Sequence, residues 1–123
     1  MLVVLPGGSP QRLLDALDPH AALLRDAVDA GVAVSGASAG AMVLCRWTVL
    51  PGSRVRAAEA LAVVEVDLVL PHYRGGTGWL GAARDVLPAD AVVLGLPERS
   101  GAVVTPEGGF EPAGVTAFSR VAA

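Results

Sequence analysis

Ser38 stands in Gly36-Ala37-Ser38-Ala39-Gly40, a G-x-S-x-G pattern with one apolar run before it and another after it. A serine hydroxyl attacks a carbonyl when a base takes its proton and when hydrogen-bond donors meet the oxyanion that forms. The elbow form of this chemistry holds the serine on a sharp strand-to-helix turn. The residues two before and two after it must then be almost free of side chain, as Gly36 and Gly40 are. Such a turn lifts the hydroxyl clear of the sheet and aims the first backbone N–H groups of the helix at the space above it. Five residues in a Gly- and Ala-rich chain also fit a buried turn with no chemistry, so the partners must decide.

A serine nucleophile needs an imidazole, and the imidazole needs an orienting acid. The chain has two histidines. His20 follows Asp18-Pro19 at the start of a helical pattern, the setting of a solvated cap residue. His72 lies in LVLPHYRGG, just past a buried strand. In a parallel sheet it falls at the carboxyl edge, where Ser38 also falls. For the acid, Glu98 in AVVLGLPERSG again follows an apolar strand. Glu65 and Asp67 precede the strand that leads to His72 and belong at its opposite end. Glu59 sits in an ambiguous segment and stays open as the acid. The favoured chain order is Ser38, His72, Glu98, with Glu59 the rival to Glu98.

The elements that must position these residues follow from the hydrophobic pattern. MLVVL is a short strand ended by Pro6-Gly7-Gly8. Ser9 is suited to cap a helix with Pro10 at its first position and Leu13, Leu14 and Leu17 on one face. HAALLRDAVDAG repeats the helical pattern and ends at Gly31. VAVSG is the next buried strand, and SAGAMVLCRW reads as the helix after the elbow. The segment TVLPGSRVRAAEALAVVEVD mixes a strand with loops. A strand at LVLP, a helix at TGWLGAARDVL and three short C-terminal strands, at AVVLGLPE, GAVVTPEGGFE and GVTAFSRV, complete the chain. Strands alternating with helices predict an α/β layered domain with a mostly parallel sheet, one domain over residues 1–123.

The motifs VSGASAGAMVL, LPHYRG and GLPE, with LPGGSPQRLLDAL upstream, resemble the Ser-His-Glu serine peptidase family of dipeptidase E (aspartyl dipeptidase) and cyanophycinase. The resemblance runs from Leu2 to about Phe118. It implies a class I glutamine amidotransferase-like, flavodoxin-like three-layer sandwich in which serine replaces the usual cysteine nucleophile. An α/β-hydrolase would instead run serine, acid, histidine, and no histidine follows Glu98. By the resemblance, Ser38 is the nucleophile, His72 the base and Glu98 the orienting carboxylate. Gly8 and Ala39 supply oxyanion N–H groups, and Gly7, Ser9 and Arg74 are the substrate-binding candidates. Relatives carry further βα units ahead of the LPGG strand, so the chain is expected to be shortened at its N-terminus. An open edge at MLVVL would then favour self-association. MLVVL is apolar at every position, the pattern of a strand covered on both faces. Ser9-Pro10 stands where cyanophycinases carry a glutamine, which argues against cyanophycin as substrate.

Composition narrows the rest. The net charge of −3 and scattered arginines argue against nucleic acid as a partner. The apolar residues, 53% of the chain, come in pieces too short to span a bilayer. One cysteine permits no intrachain disulfide and no zinc-type ligand cluster. No cofactor is implied, and without a basic-start leader a cytoplasmic location is the default expectation. The expected activity is hydrolysis of a small peptide or related amide. The competing expectation is a degenerate domain of the same fold that binds a ligand or partner without turnover.

Overall fold

A computed structural model describes residues 1–76 and 78–122. The run Leu2–Leu5 forms β1 and pairs in parallel with β2 (Ala33–Gly36), Leu2 opposite Ala33 and Leu5 opposite Gly36. Two helices connect them. In α1 (Pro10–Leu17) the Ser9 hydroxyl accepts the Arg12 N–H at 3.2 Å, as a capping serine should. A 3₁₀ turn at Asp18–His20 leads into α2 (Ala21–Asp29). This helix ends at Ala30, with Gly31 following at φ +98°. The Gly31 and Val32 N–H groups donate back to Val28 and Ala27, the paired closure that a left-handed glycine allows.

The elbow helix, α3 (Ala39–Val43), is only five residues long. The sequence pattern extends the helix to Trp47; it stops early because its last carbonyls turn to another partner. Residues 60–64 pass over its end as a strap. There the Leu61 N–H donates to Val43, Ala62 to Cys45, and Val63 and Val64 to Leu44. Carbonyls that a helix end leaves without acceptor duty are thereby satisfied. The Arg25 guanidinium holds the strap from outside, donating to the Leu61 carbonyl at 2.7 Å.

The ambiguous middle segment is an antiparallel hairpin, β3 (Trp47–Leu50) with β4 (Arg56–Glu59). Then come β5 (Leu68–Pro71), α4 (Gly78–Ala83) and β6 (Val93–Leu96), with β5 and β6 parallel. The expected start of α4 at Thr77 lies outside the described residues, and the helix ends at Ala83, short of Leu87. The C-terminal strands are arranged differently from the sequence pattern. GAVVTPEGGFE is the hairpin of β7 (Ser100–Val104) and β8 (Phe110–Gly114). GVTAFSRV contributes only β9 (Ser119–Val121), antiparallel to β6.

The class is mixed α/β, but one mostly parallel sheet is not what the described residues form. They make four small sheets, with parallel pairing at β1–β2 and β5–β6 and antiparallel pairing at the other three pairs. The reason is connection length. The short links after β3 and β7 permit only antiparallel neighbours, whereas both parallel pairs are joined through helices.

Apolar packing ties the sheets together. Leu5, Leu14, Val43, Leu50 and Leu61 form one cluster around α3 and the strap. Val49, Leu68, Leu70, Leu80 and Val93 form a second under α4. Cys45, Val66, Val69 and Leu94 form a third between α3 and β5–β6. Cover is one-sided at β1. Val3 and Leu5 pack with α1 and α2, while Leu2 and Val4 are 61% and 63% exposed. The expectation of a strand covered on both faces is thus met on one. Among the described residues no helix is long and apolar enough to cross a membrane.

Gly40 marks the tightest approach. A Cβ built there would lie 2.8 Å from the Pro6 carbonyl oxygen and from the Leu5 carbonyl carbon. Both are backbone atoms that cannot swing aside. Gly40→Val should therefore lower stability by on the order of 1–3 kcal/mol, read as a lower midpoint in thermal melts. An unchanged midpoint would contradict this packing of β1 on α3.

Candidate active site

Ser38 is the second of the two residues between β2 and α3 and directly precedes the helix, with φ 52° and ψ −113°. A non-glycine residue in that region is strained, at a cost on the order of 1–3 kcal/mol, and persists only where its surroundings hold it. They do so here through backbone bonds on both sides. Ala37 N–H donates to Leu5 at 3.1 Å, Gly40 N–H to Ala37 at 2.9 Å, and Met42 N–H to Ser38 at 3.0 Å. A Cβ on Gly36 would meet the Ala41 nitrogen at 2.7 Å, and one on Gly7 would meet Ser38 Cβ at 3.5 Å. The segment just past β1 thus runs directly beside the serine. Ser38 is exposed, whereas Ala39 beneath it is buried. Gly8 follows at φ +124°. Among the described residues neither the Gly8 nor the Ala39 N–H has an acceptor. Ser9 is occupied as the cap of α1.

The other two candidates, His72 and Glu98, lie beyond β5 and β6. Their parallel register sets Pro71 opposite Leu96, so both strands end level. His72 is the first residue past one strand, and Glu98 is the second past the other. His72 Nδ1 contacts Glu98 Oε1 directly, with side chains 63% and 64% exposed. A proton on Nδ1 donates to the carboxylate and leaves the Nε2 lone pair free for a second partner. A contact this exposed contributes little to stability.

Backbone strain singles out the same places. Four non-glycine residues have positive φ among those described: Ser38, His72, Arg99 beside Glu98, and Ala62 in the strap. Each of the first three is braced. The Tyr73 N–H, next to His72, donates to the Leu96 carbonyl at 3.0 Å. Pro97 to Ser100 form a turn closed by the Ser100 N–H and hydroxyl, both donating to the Pro97 carbonyl. Its third position, Arg99, takes the φ that such a turn usually gives to glycine. The Arg99 carbonyl accepts from Val115 and Thr116 at 2.9 and 3.2 Å. That approach requires Gly114, whose Cβ would lie 2.5 Å from the Arg99 oxygen.

The other candidates lie elsewhere. Glu59 ends β4 and, with Asp15, Asp18, Gln11 and Arg56, lines a cavity of about 420 Å³ beside α1. Asp67 accepts the Val92 N–H at 2.8 Å, at the amino end of the β5–β6 pair. Glu65 is exposed before β5, and His20 is exposed at the end of the 3₁₀ turn. Arg74 lies two residues past His72 in an exposed bend. Among the described residues Ser38 Oγ makes no hydrogen bond to His72, and no set of three metal-ligating side chains is grouped. Tyr73, Gly95 and Gly114 escaped the sequence reading. A lone glycine inside the apolar strand VVLGL was the available signal, since it marks a close approach of another group.

The model of a protein family described as peptidase family S51 matches residues 1–108. No curated protein matches the chain.

Cys45 is the remaining nucleophilic side chain. It is fully buried, and its Sγ donates to the Ala41 carbonyl at 3.5 Å. Burial first, and the negative charge of Asp67 second, push its pKa up from 9.0 to about 12. Only the thiolate reacts, so native protein at pH 8 should leave a disulfide reagent such as Ellman's unreacted and consume one equivalent on unfolding. Because the folded pKa is the higher one, the thiol's contribution to stability is complete below pH 9 and declines as pH rises toward 12. Rapid native labelling would contradict the burial.

Proposed function

The chain belongs to peptidase family S51, the family of dipeptidase E and cyanophycinase, and from that premise we propose that it is a serine hydrolase of small peptides or related amides, acting through an acyl-enzyme on Ser38. One observation carries the reading: a serine held at φ 52° on a strand-to-helix turn whose flanking glycines have no room for a Cβ. In the proposed reaction Ser38 Oγ attacks the amide carbon while His72 Nε2 takes the hydroxyl proton. The carbonyl oxygen becomes an oxyanion and accepts hydrogen bonds from the Gly8 and Ala39 N–H groups, which have no acceptor among the described residues. The C–N bond then breaks, and the amine leaves with the proton that His72 returns. Water, deprotonated by the same nitrogen, attacks the ester and frees Ser38. Glu98 orients the ring through Nδ1 throughout, and the contact between them supports its choice over Glu59. Gly7, Ser9 and Arg74 complete the proposal as substrate contacts. A flavodoxin-like layering of the sheets goes with the same reading, as does a cytoplasmic setting.

A second reading rests on the missing hydrogen bond between Ser38 and His72 and on the exposure of His72 and Glu98. In it the same site binds a ligand or partner and turns nothing over. Catalytic hydrogen bonds are commonly long before substrate arrives, which favours the first reading.

A dipeptide and acyl-amide hydrolysis screen, with fluorophosphonate labelling, separates the two. Ser38→Ala should lose about 10⁴-fold or more of turnover together with all labelling, while melting like the parent. Glu98→Gln should be severe and Glu59→Gln mild. Retained hydrolysis in Ser38→Ala would remove Ser38 from the mechanism, and the reverse order of the two glutamate variants would change the acid.

A further inference from the structure

His72 has no packing of its own to hold it. Its side chain is 63% exposed, and its φ of +52° is a conformation that histidine adopts at a cost. Something adjacent must fix it. On one side stands Pro71, the last residue of β5, paired in register with Leu96. On the other stands Tyr73. Its N–H extends the β5–β6 ladder by donating to the Leu96 carbonyl, and its ring folds back over Gly95 in the middle strand β6. A Cβ at position 95 would lie 2.6 Å from Tyr73 Cγ and 2.9 Å from Cε2. The ring therefore rests on the bare backbone of β6, in a slot that exists because residue 95 has no side chain. It also packs on the cluster that contains Leu70 and Val93, so the slot has walls as well as a floor.

We propose that Tyr73 is a positioning residue: its ring, seated in the Gly95 slot, fixes the backbone of His72 so that Nδ1 meets Glu98. This rests on the proposed hydrolase reading for its catalytic consequence, and on geometry alone for its structural one. The action belongs to the ring. Among the described residues the Tyr73 hydroxyl makes no hydrogen bond, so phenylalanine should serve as well as tyrosine. An alanine methyl at position 95 must push the ring outward, and the attached residue moves with it. A misplacement of about 1 Å in a catalytic group costs on the order of 10²-fold in rate.

The test reads the imidazole directly. With His20→Gln as background, His72 is the single histidine. The nitrogen shifts of its ring, observed through the non-exchanging ring protons at a pH where the imidazole is neutral, report which nitrogen bears the proton. Wild type and Tyr73→Phe should hold it on Nδ1, and Glu98→Gln should release it. Gly95→Ala and Tyr73→Ala should match Glu98→Gln in the ring signature. In the hydrolysis assay both should lose about 10²-fold in kcat with KM little changed, while Tyr73→Phe keeps wild-type kcat. Tyr73→Ala adds no atom, and it carries the test if Gly95→Ala does not fold. A folded Gly95→Ala or Tyr73→Ala that keeps the wild-type ring signature overturns the proposal, as does a Tyr73→Phe that loses it. If the signature moves as stated but wild type hydrolyses nothing, the positioning role stands and the hydrolase reading falls.

Discussion

Two absent Cβ atoms govern the region around Ser38. Gly40 lets the end of β1 lie against α3 backbone to backbone, and Gly36 lets the chain fold back on Gly40 and Ala41 within a single turn. Without that double approach the segment just past β1 could not sit beside the serine, and Ala37 could not donate to Leu5. The positive φ of Ser38 would then lose its brace from β1. The strain at the serine is thus sustained by packing several residues away, in a cluster that joins Leu5, Val43 and Leu61.

The His72–Glu98 half is built on the opposite plan. It is open to water and contributes little to the fold. Its geometry is inherited from turns that something else closes: the Pro97–Ser100 turn, the donation of Val115 and Thr116 to Arg99, and the ladder bond from Tyr73. The serine is thus exposed above a buried Ala39, whereas His72 and Glu98 are exposed with only turns beneath them. In the proposed reaction the first arrangement would keep a nucleophile from drifting, and the second would leave a base reachable by both substrate and water.

Much of this was legible in the sequence, and the rest was not for identifiable reasons. Ser9-Pro10 announced α1, Gly31 announced the end of α2, and the apolar runs announced β1, β2, β5 and β6, because each signal is local. The β3–β4 hairpin stayed hidden. Its second strand, Arg56–Glu59, is built on Ala57 and Ala58, which carry none of the β-branched signal that marks a strand. Its loop also lacks the short Asn-Gly type of turn that betrays a hairpin. The pairing of β9 with β6 is likewise a matter of distant contact, which no window of sequence contains. At the site, the motifs exposed Ser38, His72 and Glu98 as candidates but left Glu59 in competition, because only spatial proximity distinguishes two glutamates. Tyr73 in its slot was invisible for the same reason.

The strap over α3 has a consequence for how the chain comes into being. Five residues are too few to make a helix that stands alone in water, since the cost of nucleation is not recovered over so short a length. The carbonyls at its end find their donors only in Leu61 to Val64, after an entire hairpin has been laid down. A growing chain that has not yet reached Leu61 therefore carries Ser38 as an ordinary serine in a flexible glycine-rich segment. The strained conformation depends on residues that follow it by more than twenty positions. Any activity that depends on that conformation is therefore absent until the strap has been made.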